Sequence, residues 1–301
     1  MPLPKSLSAI LFAAVALIAL AWPMTAAAGG DEVSLTLTIP PEKVDSEQAE
    51  EAFSADTLEE ITSEAADRIR KRMRAAEIKH WDVVTSGRNR IRINVYSRYS
   101  RARLASILVP SGEMAIRPVL SVGGEWTERI SKVPEGVELR QPEESMRADA
   151  AFLWSRSRRA LRKVVQDVPL PGVDVEVYPY KGGWRTVALG TPVATHKSVR
   201  SASIERGGGG EAYIRLQLDA TAAPERTNRH SVGSRWALVL DGEVVRVWQE
   251  ASDTLDTAIN LRPPRHLGSK ESKLIWSQQV AGRLAAYIPV PLVEVEDVDQ
   301  D

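Results

Sequence analysis

The chain of 301 residues contains no cysteine, and its formal net charge is only −1. Without cysteine it has no disulfides, no thiolate catalysis, no cysteine metal ligands and no lipid-modified cysteine of the kind that anchors bacterial lipoproteins. A charge so close to zero argues against a protein that binds nucleic acid through bulk charge. The composition is otherwise that of a folded protein, with 43% apolar and 26% charged residues.

Residues that would carry catalysis or hold a metal are also scarce and scattered. The four histidines do not recur at a spacing that places two ligands on one helix face. No Gly-x-Ser-x-Gly sequence occurs, and the glycine run at 207–210 precedes a strand pattern without the Lys-Ser/Thr pair of a phosphate-binding loop. We therefore expect neither an enzyme nor a cofactor. The alternative is an enzyme whose carboxylates are brought together only by folding.

The one long apolar run lies near the N-terminus. Lys5 precedes an apolar stretch over residues 7–22, and three alanines at 26–28 precede two glycines. This order is typical of a secretory signal and predicts cleavage after Ala28. The alternative is an uncleaved membrane anchor, because residues 7–28 reach the roughly 20 apolar residues that cross a bilayer. Both interpretations predict that the rest of the chain is exported.

Apolar periodicity in residues 33–120 predicts the order β-α-β-β-α-β. Residues 33–39 alternate apolar and polar side chains as in a half-buried strand, whereas 58–76 place apolar side chains every three or four positions, as in a helix. We interpret the basic residues in the second half of this helix, Arg72 among them, as a solvated face. The remaining elements are strands at 81–84, 90–95 and 113–120 and a short helix at 101–109.

The second part of the chain contains an antiparallel hairpin signal. Residues 236–245 place strand-forming residues on both sides of Asp241-Gly242. An Asp-Gly pair readily adopts the positive backbone angles of a two-residue turn, so the chain is expected to fold back on itself here. The surrounding pattern predicts helices at 143–166 and 269–287, strands at 173–178, 184–189, 213–219 and 291–296, and an acidic solvated end.

Several fragments, taken in order, resemble the first periplasmic domain of SecD, a family of subunits of the bacterial protein-export machinery. They are ADRIRKRM (66–73), GRNRIRINV (87–95), ILVPSGEMAIRPV (107–119), YIRLQL (213–218), GSRWALVLDGEVV (233–245) and VAGRLAAYIPVPLVEV (280–295). The chain departs from the family pattern at 262–265, where Arg-Pro-Pro-Arg replaces a glycine-containing run. SecD continues into transmembrane helices that carry a proton pathway, so we expect this chain to act without its own proton coupling.

The resemblance implies an α+β fold, in which a ferredoxin-like β-α-β-β-α-β base carries an inserted α+β head lobe. The expected division is a signal peptide or anchor at 1–28, the first part of the base at 29–120, the head lobe at 121–262, and the closing helix and strand of the base at 263–301. On this division the two ends of the chain meet in one sheet, and the middle forms a separate lobe.

The resemblance also implies a periplasmic protein, free or held to the inner membrane by its N-terminal helix, that binds exported or unfolded polypeptide. The Sec translocase or other envelope membrane proteins are the further partners implied, and nucleic acid is not. Trp184, Trp248 and Tyr213 are the candidate binding residues, although both tryptophans also suit an ordinary core position, and Asp241 and Gly242 mark the hairpin. The alternative is a structural module that docks onto an envelope complex and has no affinity for unfolded chains.

Overall fold

The computed structural model describes residues 32–40, 55–96, 99–120, 126, 128–130, 133–141, 151–169, 173–219, 235–249 and 255–295. Within these ranges every paired strand runs antiparallel to its neighbour, and the α+β fold class is confirmed. No helix in the described ranges is both long enough and apolar enough to span a membrane. The predicted cleavage site at Ala28 and most of the acidic end lie outside the described residues.

The elements in chain order are β1 (Glu32–Thr38), α1 (Ala55–Ala75), β2 (Trp81–Ser86), β3 (Arg90–Tyr96), α2 (Arg101–Leu108), β4 (Met114–Pro118), β5 (Val137–Arg140), β6 (Phe152–Ser155), α3 (Arg158–Asp167), β7 (Asp174–Tyr180), β8 (Gly183–Leu189), β9 (Ala194–Thr195), β10 (Val199–Arg206), β11 (Ala212–Leu218), β12 (Arg235–Leu240), β13 (Glu243–Gln249), β14 (Ala258–Leu261), α4 (Lys270–Ala285) and β15 (Val293–Val295).

The first and last of these strands lie side by side in a four-stranded sheet with the order β15-β1-β3-β2. Thr36 lies opposite Val295, and Thr38 lies opposite Val293. The apolar residues of the strands, such as Leu35 and Ile93, are buried in one core with residues of α1 and α2. The predicted meeting of the two ends of the chain in one sheet is therefore confirmed.

The strand predicted at 113–120 does not belong to that sheet, which corrects its assignment to the base. The strand β4 pairs instead with β12 and β9, in a sheet with the order β13-β12-β4-β9. The physical reason is its apolar face, because Met114 and Ile116 are buried in the same core as Trp236 and Leu238. The free edge of β1 is covered by β15 instead.

The helix predicted at 143–166 is correct from residue 158 and wrong at 152–155, and residues 143–150 lie outside the described residues. Phe152–Ser155 is a strand, all four of its residues are buried, and it lies between β5 and β8 in a sheet with the order β5-β6-β8-β7. The helix α3 begins at Arg158, after Ser157, whose hydroxyl accepts a hydrogen bond from the main-chain N–H of Ala160. A short run buried on both faces suits a central strand better than an amphipathic helix.

The sheet β10-β11-β14 and α4 pack into the same core as β4 and β12. The sequence predicted β11 but missed its partners β10 and β14. Gly207–Gly210 connects β10 to β11 and is held by a hydrogen bond of 3.0 Å from the N–H of Gly207 to the carbonyl of Glu211, so this run is a hairpin loop. Because α4 also packs on α1 and α2, it links this core to the sheet that joins the ends of the chain.

Candidate functional site

The structure places the three predicted binding residues in three different regions. Trp184 is half-buried in β8, beside the core under α3. Trp248 is half-buried in β13, opposite Trp236, and packs against the core that contains α4. Tyr213 lies in β11, where its hydroxyl donates a hydrogen bond of 2.7 Å to the carboxylate of Glu205. These side chains do not form one common surface.

Trp184 lines a cavity of about 700 Å³ between two sheets. One wall is β7 and the other is β13, and each is the outermost strand of its sheet. Both strands are described in full, they lie close together, and no main-chain hydrogen bond joins them. We call this cavity the edge cleft, and its lining consists of residues 177–181, 243–247 and 264–267 with Arg158, Trp184, Arg235 and Trp276.

The β7 wall of the edge cleft carries an ordered group of aromatic rings. The guanidinium of Arg185, which is buried in β8, lies 3.8 Å from the ring centroid of Phe152 and 5.0 Å from that of Tyr180. The rings of Phe152 and Tyr180 also meet edge to face, with their centroids 5.6 Å apart. Cation–π contacts are strongest where water is excluded, so Arg185 holds the ring of Tyr180 in place at the cleft. Burial raises the pKa of the neighbouring Tyr178 hydroxyl, which keeps it neutral.

The β13 wall is irregular and basic. The pairing of β12 with β13 shifts between Leu238 and Val239, which leaves Val245 as an extra residue on the edge strand. Bulges of this kind are common at sheet edges, where they interrupt further regular pairing. At one end of this wall Glu243 accepts a hydrogen bond of 2.7 Å from Nη2 of Arg158, which ties β13 to α3.

The Asp241-Gly242 turn forms as predicted, with φ angles of 51° and 75°. The carboxylate of Asp241 also accepts hydrogen bonds from segments outside the turn. Oδ1 accepts hydrogen bonds from the hydroxyl of Ser111 at 2.6 Å and from the N–H groups of Gly112 at 2.7 Å and Glu113 at 3.0 Å, and Oδ2 accepts one of 2.9 Å from Nε of Arg283. We call this group the Asp241 junction.

The pKa of Asp241 reflects two opposing effects. Burial acts to raise it, but the hydrogen bonds from Ser111 and Arg283 and the positive charge of Arg283 lower the pKa below its usual value. The charged carboxylate therefore joins the β12-β13 hairpin to the segment after α2 and to α4. The role that the structure gives this turn is one of connection within the fold.

Arg72 lies next to the junction and is not a solvated residue, which corrects the interpretation from sequence. It is fully buried, and its guanidinium donates hydrogen bonds to five main-chain carbonyls, those of Ala286 at 2.9 Å, Leu108 at 2.9 Å, Ile107 at 3.2 Å, Pro110 and Ser111. Burial lowers the pKa of Arg72 to about 9, with the charge of Asp241 opposing the change, so the group remains charged at neutral pH. One side chain of α1 thus binds the ends of both α2 and α4.

Most of the edge cleft could not be found from sequence periodicity. Tyr180, Arg246 and Trp276 come from three segments that are distant in the chain and only approach each other in the fold. One sequence feature did fall in the cleft. The Arg-Pro-Pro-Arg segment at 262–265, which departs from the SecD pattern, contributes Pro264 and Arg265 to the lining. The described residues contain no group of three or more histidine, aspartate or glutamate side chains that could hold a metal ion.

Comparison with known proteins gives matches only among solved structures, since no family model and no curated protein matches the chain. SecDF in its super-membrane-facing form is 16% identical, with a TM-score of 0.45 over 97% of this chain and 35% of that one. A structure described as a membrane component SecDF that enhances protein export is also 16% identical, with a TM-score of 0.45 over 88% of this chain and 98% of that one.

SecDF from Thermus thermophilus, described as a translocon-associated membrane protein, is 16% identical with a TM-score of 0.28, over 96% of this chain and 35% of that one. The chain thus spans about a third of the length of the first and third of these proteins. All three of these structures are of SecDF.

Proposed function

We propose that this chain is a periplasmic accessory of protein export that binds extended, unfolded polypeptide in the edge cleft, and that it acts by binding and not by catalysis. The observation that carries this proposal is the presence of two open strand edges, β7 and β13, on facing walls of one cavity. A segment laid along the cavity gains main-chain hydrogen bonds whatever its sequence is, from those parts of the two edges that the bulge at Val245 and Pro179, which has no N–H, do not interrupt. This property suits a protein that must accept many different exported chains.

Aromatic side chains on the walls add apolar contact. Tyr180, Trp184 and Trp276 line the edge cleft and are each half-buried, so part of every ring remains accessible. Aromatic rings have large apolar surfaces and preferred packing geometries, and they are common anchors for bound chains. The Sec translocase, or another envelope membrane protein, is the partner that we propose would deliver or receive the bound polypeptide.

The test is a binding assay with a reduced and alkylated secretory protein, which stays unfolded, against its native folded form. We expect this protein to bind the unfolded form of the secretory protein and not its folded form. Tyr180→Ala is expected to weaken binding about tenfold, because it removes an aromatic wall. The matched control is Tyr287→Ala, which removes a half-buried tyrosine from outside the edge cleft. An equal loss in both variants, or a loss only in the control, would contradict the assignment to the edge cleft.

Strand addition has its own test in a short, extended peptide whose alternate main-chain nitrogens are methylated. Methylation removes the N–H donors on one edge of the peptide and leaves the side chains unchanged, so the affinity should fall sharply if strand edges hold the peptide. Affinity for a folded envelope protein, together with no affinity for either unfolded probe, would support the docking-module alternative and overturn the proposed function.

A further inference from the structure

The edge cleft carries a strong local excess of positive charge in a chain that is nearly neutral overall. Its cationic lining residues are Arg158, Lys181, Arg235, Arg246 and Arg265. Among the lining residues, all of which the structure describes, Glu243 is the one carboxylate. Glu243 is already engaged by Arg158 at 2.7 Å and approached by Arg162 at 3.7 Å. The cleft is therefore basic on balance.

Two of these cations, Arg246 and Arg265, line the same cleft. Burial lowers the pKa of Arg246, the nearby hydroxyl of Tyr178 opposes this, and the positive charge of Arg265 lowers the pKa further. In the part of the chain that the structure describes, no carboxylate forms an ion pair with Arg246 or Arg265. Arg246 is half-buried on the edge strand, and Arg265 is exposed on the loop that follows β14.

We propose that Arg246 and Arg265 select acidic polypeptide, by binding the carboxylates of aspartate or glutamate side chains in a segment that lies along the edge cleft. This inference rests on the proposed function and names the class of segment that the cleft prefers. A guanidinium can bind a carboxylate through two parallel hydrogen bonds, and a bound carboxylate relieves the repulsion between two neighbouring cations. Arg246 is half-buried, which strengthens the attraction between its charge and a bound carboxylate.

The geometry also limits which acidic segments fit. Residues two apart in an extended chain point to the same side, so one face of the segment can hold acidic residues while the other faces the aromatic wall at Tyr180 and Trp184. Acidic residues that alternate with large apolar residues satisfy both walls at once. A segment with lysine at the same positions places like charges together and is disfavoured.

The experiment uses the mature, exported chain and three short synthetic peptides that differ only at two alternate positions, which hold glutamate, glutamine or lysine. Binding is measured by fluorescence anisotropy at low and at high salt. We expect the glutamate peptide to bind about tenfold more tightly than the glutamine peptide, and the lysine peptide to bind most weakly. The preference should shrink as salt screens the charges.

A double variant, Arg246→Gln with Arg265→Gln, is expected to lose the preference for glutamate over glutamine and to keep its affinity for the glutamine peptide. The charge-matched control is Lys197→Gln with Arg200→Gln, two exposed residues outside the edge cleft, and it should keep the preference. Circular dichroism of both variants checks that they fold alike.

The outcomes separate the two proposals. Binding of all three peptides with equal affinity overturns the acidic preference and leaves the proposed function standing. If no peptide binds, both are overturned. Two further results would show that the two arginines bind another anion, and either would overturn the preference for polypeptide. One is that free phosphate or acetate displaces the glutamate peptide as effectively as a second glutamate peptide does. The other is that anionic lipid vesicles bind more tightly than the peptide, in a manner that depends on the two arginines.

Discussion

The Asp241 junction and the edge cleft lie on the same hairpin, but they differ in how completely their polar groups are paired within the described residues. At the turn, both oxygens of Asp241 accept hydrogen bonds, and nearby Arg72 is surrounded by carbonyl acceptors. Along the edge of β13, main-chain groups have no strand partner, and Arg246 has no carboxylate within the described residues. Buried polar groups in native proteins are nearly always paired, so a place where pairing is left open stands out as a place for a partner.

This difference makes separate predictions for stability and for binding. Changes at the Asp241 junction should lower the free energy of unfolding, because they leave buried groups without partners. Changes in the edge cleft should alter affinity with little effect on stability. Substitutions that reverse this division would show that the comparison is wrong.

The largest expected effect is that of Arg72→Met, which keeps an unbranched side chain but removes the guanidinium donor from five main-chain carbonyls, of which that of Ser111 keeps the N–H of Ile288. We expect the free energy of unfolding to fall by about 4 kcal/mol. Urea denaturation followed by circular dichroism measures the change. Arg74→Met is the matched control, since Arg74 is exposed on the same helix, and it should change stability by less than about 0.5 kcal/mol.

Gly112→Ala should destabilise the protein by about 3 kcal/mol. Gly112 has a φ of +76°, and an added Cβ would meet the carbonyl of Arg283 and stand 2.7 Å from Nη2 of Arg72. Gly87→Ala separates the two causes, because Gly87 has a φ of +71° and open space around it. The control should lose only about 1 kcal/mol from backbone strain, and similar losses in both variants would mean that close packing at Gly112 contributes nothing.

Asp241→Asn should lower the free energy of unfolding by about 2 kcal/mol at neutral pH, because the charged hydrogen bonds at the junction are weakened. The folded protein lowers the pKa of Asp241, so its contribution is present above the unfolded pKa of about 3.9 and is lost as pH falls through the folded value. Urea denaturation at a series of pH values should therefore show the difference between wild type and variant shrinking below about pH 4. If the difference in unfolding free energy between wild type and variant instead grows as the pH falls, the pKa of Asp241 is not lowered by folding.

The smallest expected effect on stability is that of Glu243→Gln in the edge cleft. The ion pair of Glu243 with Arg158 is partly exposed, so its loss should change stability by less than about 0.5 kcal/mol. Removing the one carboxylate of the lining should strengthen binding of the glutamate peptide by about threefold. Glu211→Gln is the control, because Glu211 forms a similar exposed pair with Lys273 at 3.1 Å and should leave the affinity unchanged.

Local patterns in the sequence predicted those parts of the fold that local forces determine. The Asp241-Gly242 turn and the alternation of β1 were recognisable because backbone preference and side-chain burial agree there. Phe152–Ser155 was assigned to a helix because a short run buried on both faces has no distinct period. The strand β10 was missed because its exposed face is rich in serine and arginine, and only its pairing with β11 identifies it.

The candidate site was harder to predict than the fold. Trp184 was singled out and does line the edge cleft, but its neighbours there depend on how two sheets approach each other. The burial of Arg72 could not be predicted for a related reason. A basic residue on a helix is usually solvated, and the sequence around Arg72 does not indicate that other segments contribute five carbonyl acceptors. Whether Trp248 and Tyr213 bind polypeptide stays a prediction.

The pairing of β1 with β15 makes a circular permutant of this protein feasible. Val295 lies opposite Thr36, only four residues along the same strand from Glu32, or about 14 Å at the rise of an extended chain. A brief flexible bridge could join these points, and new termini could be opened at the Gly207–Gly210 loop, whose glycines are exposed. Such a circular permutant would preserve every strand pair described above and would present its new termini at that loop for fusion to a reporter.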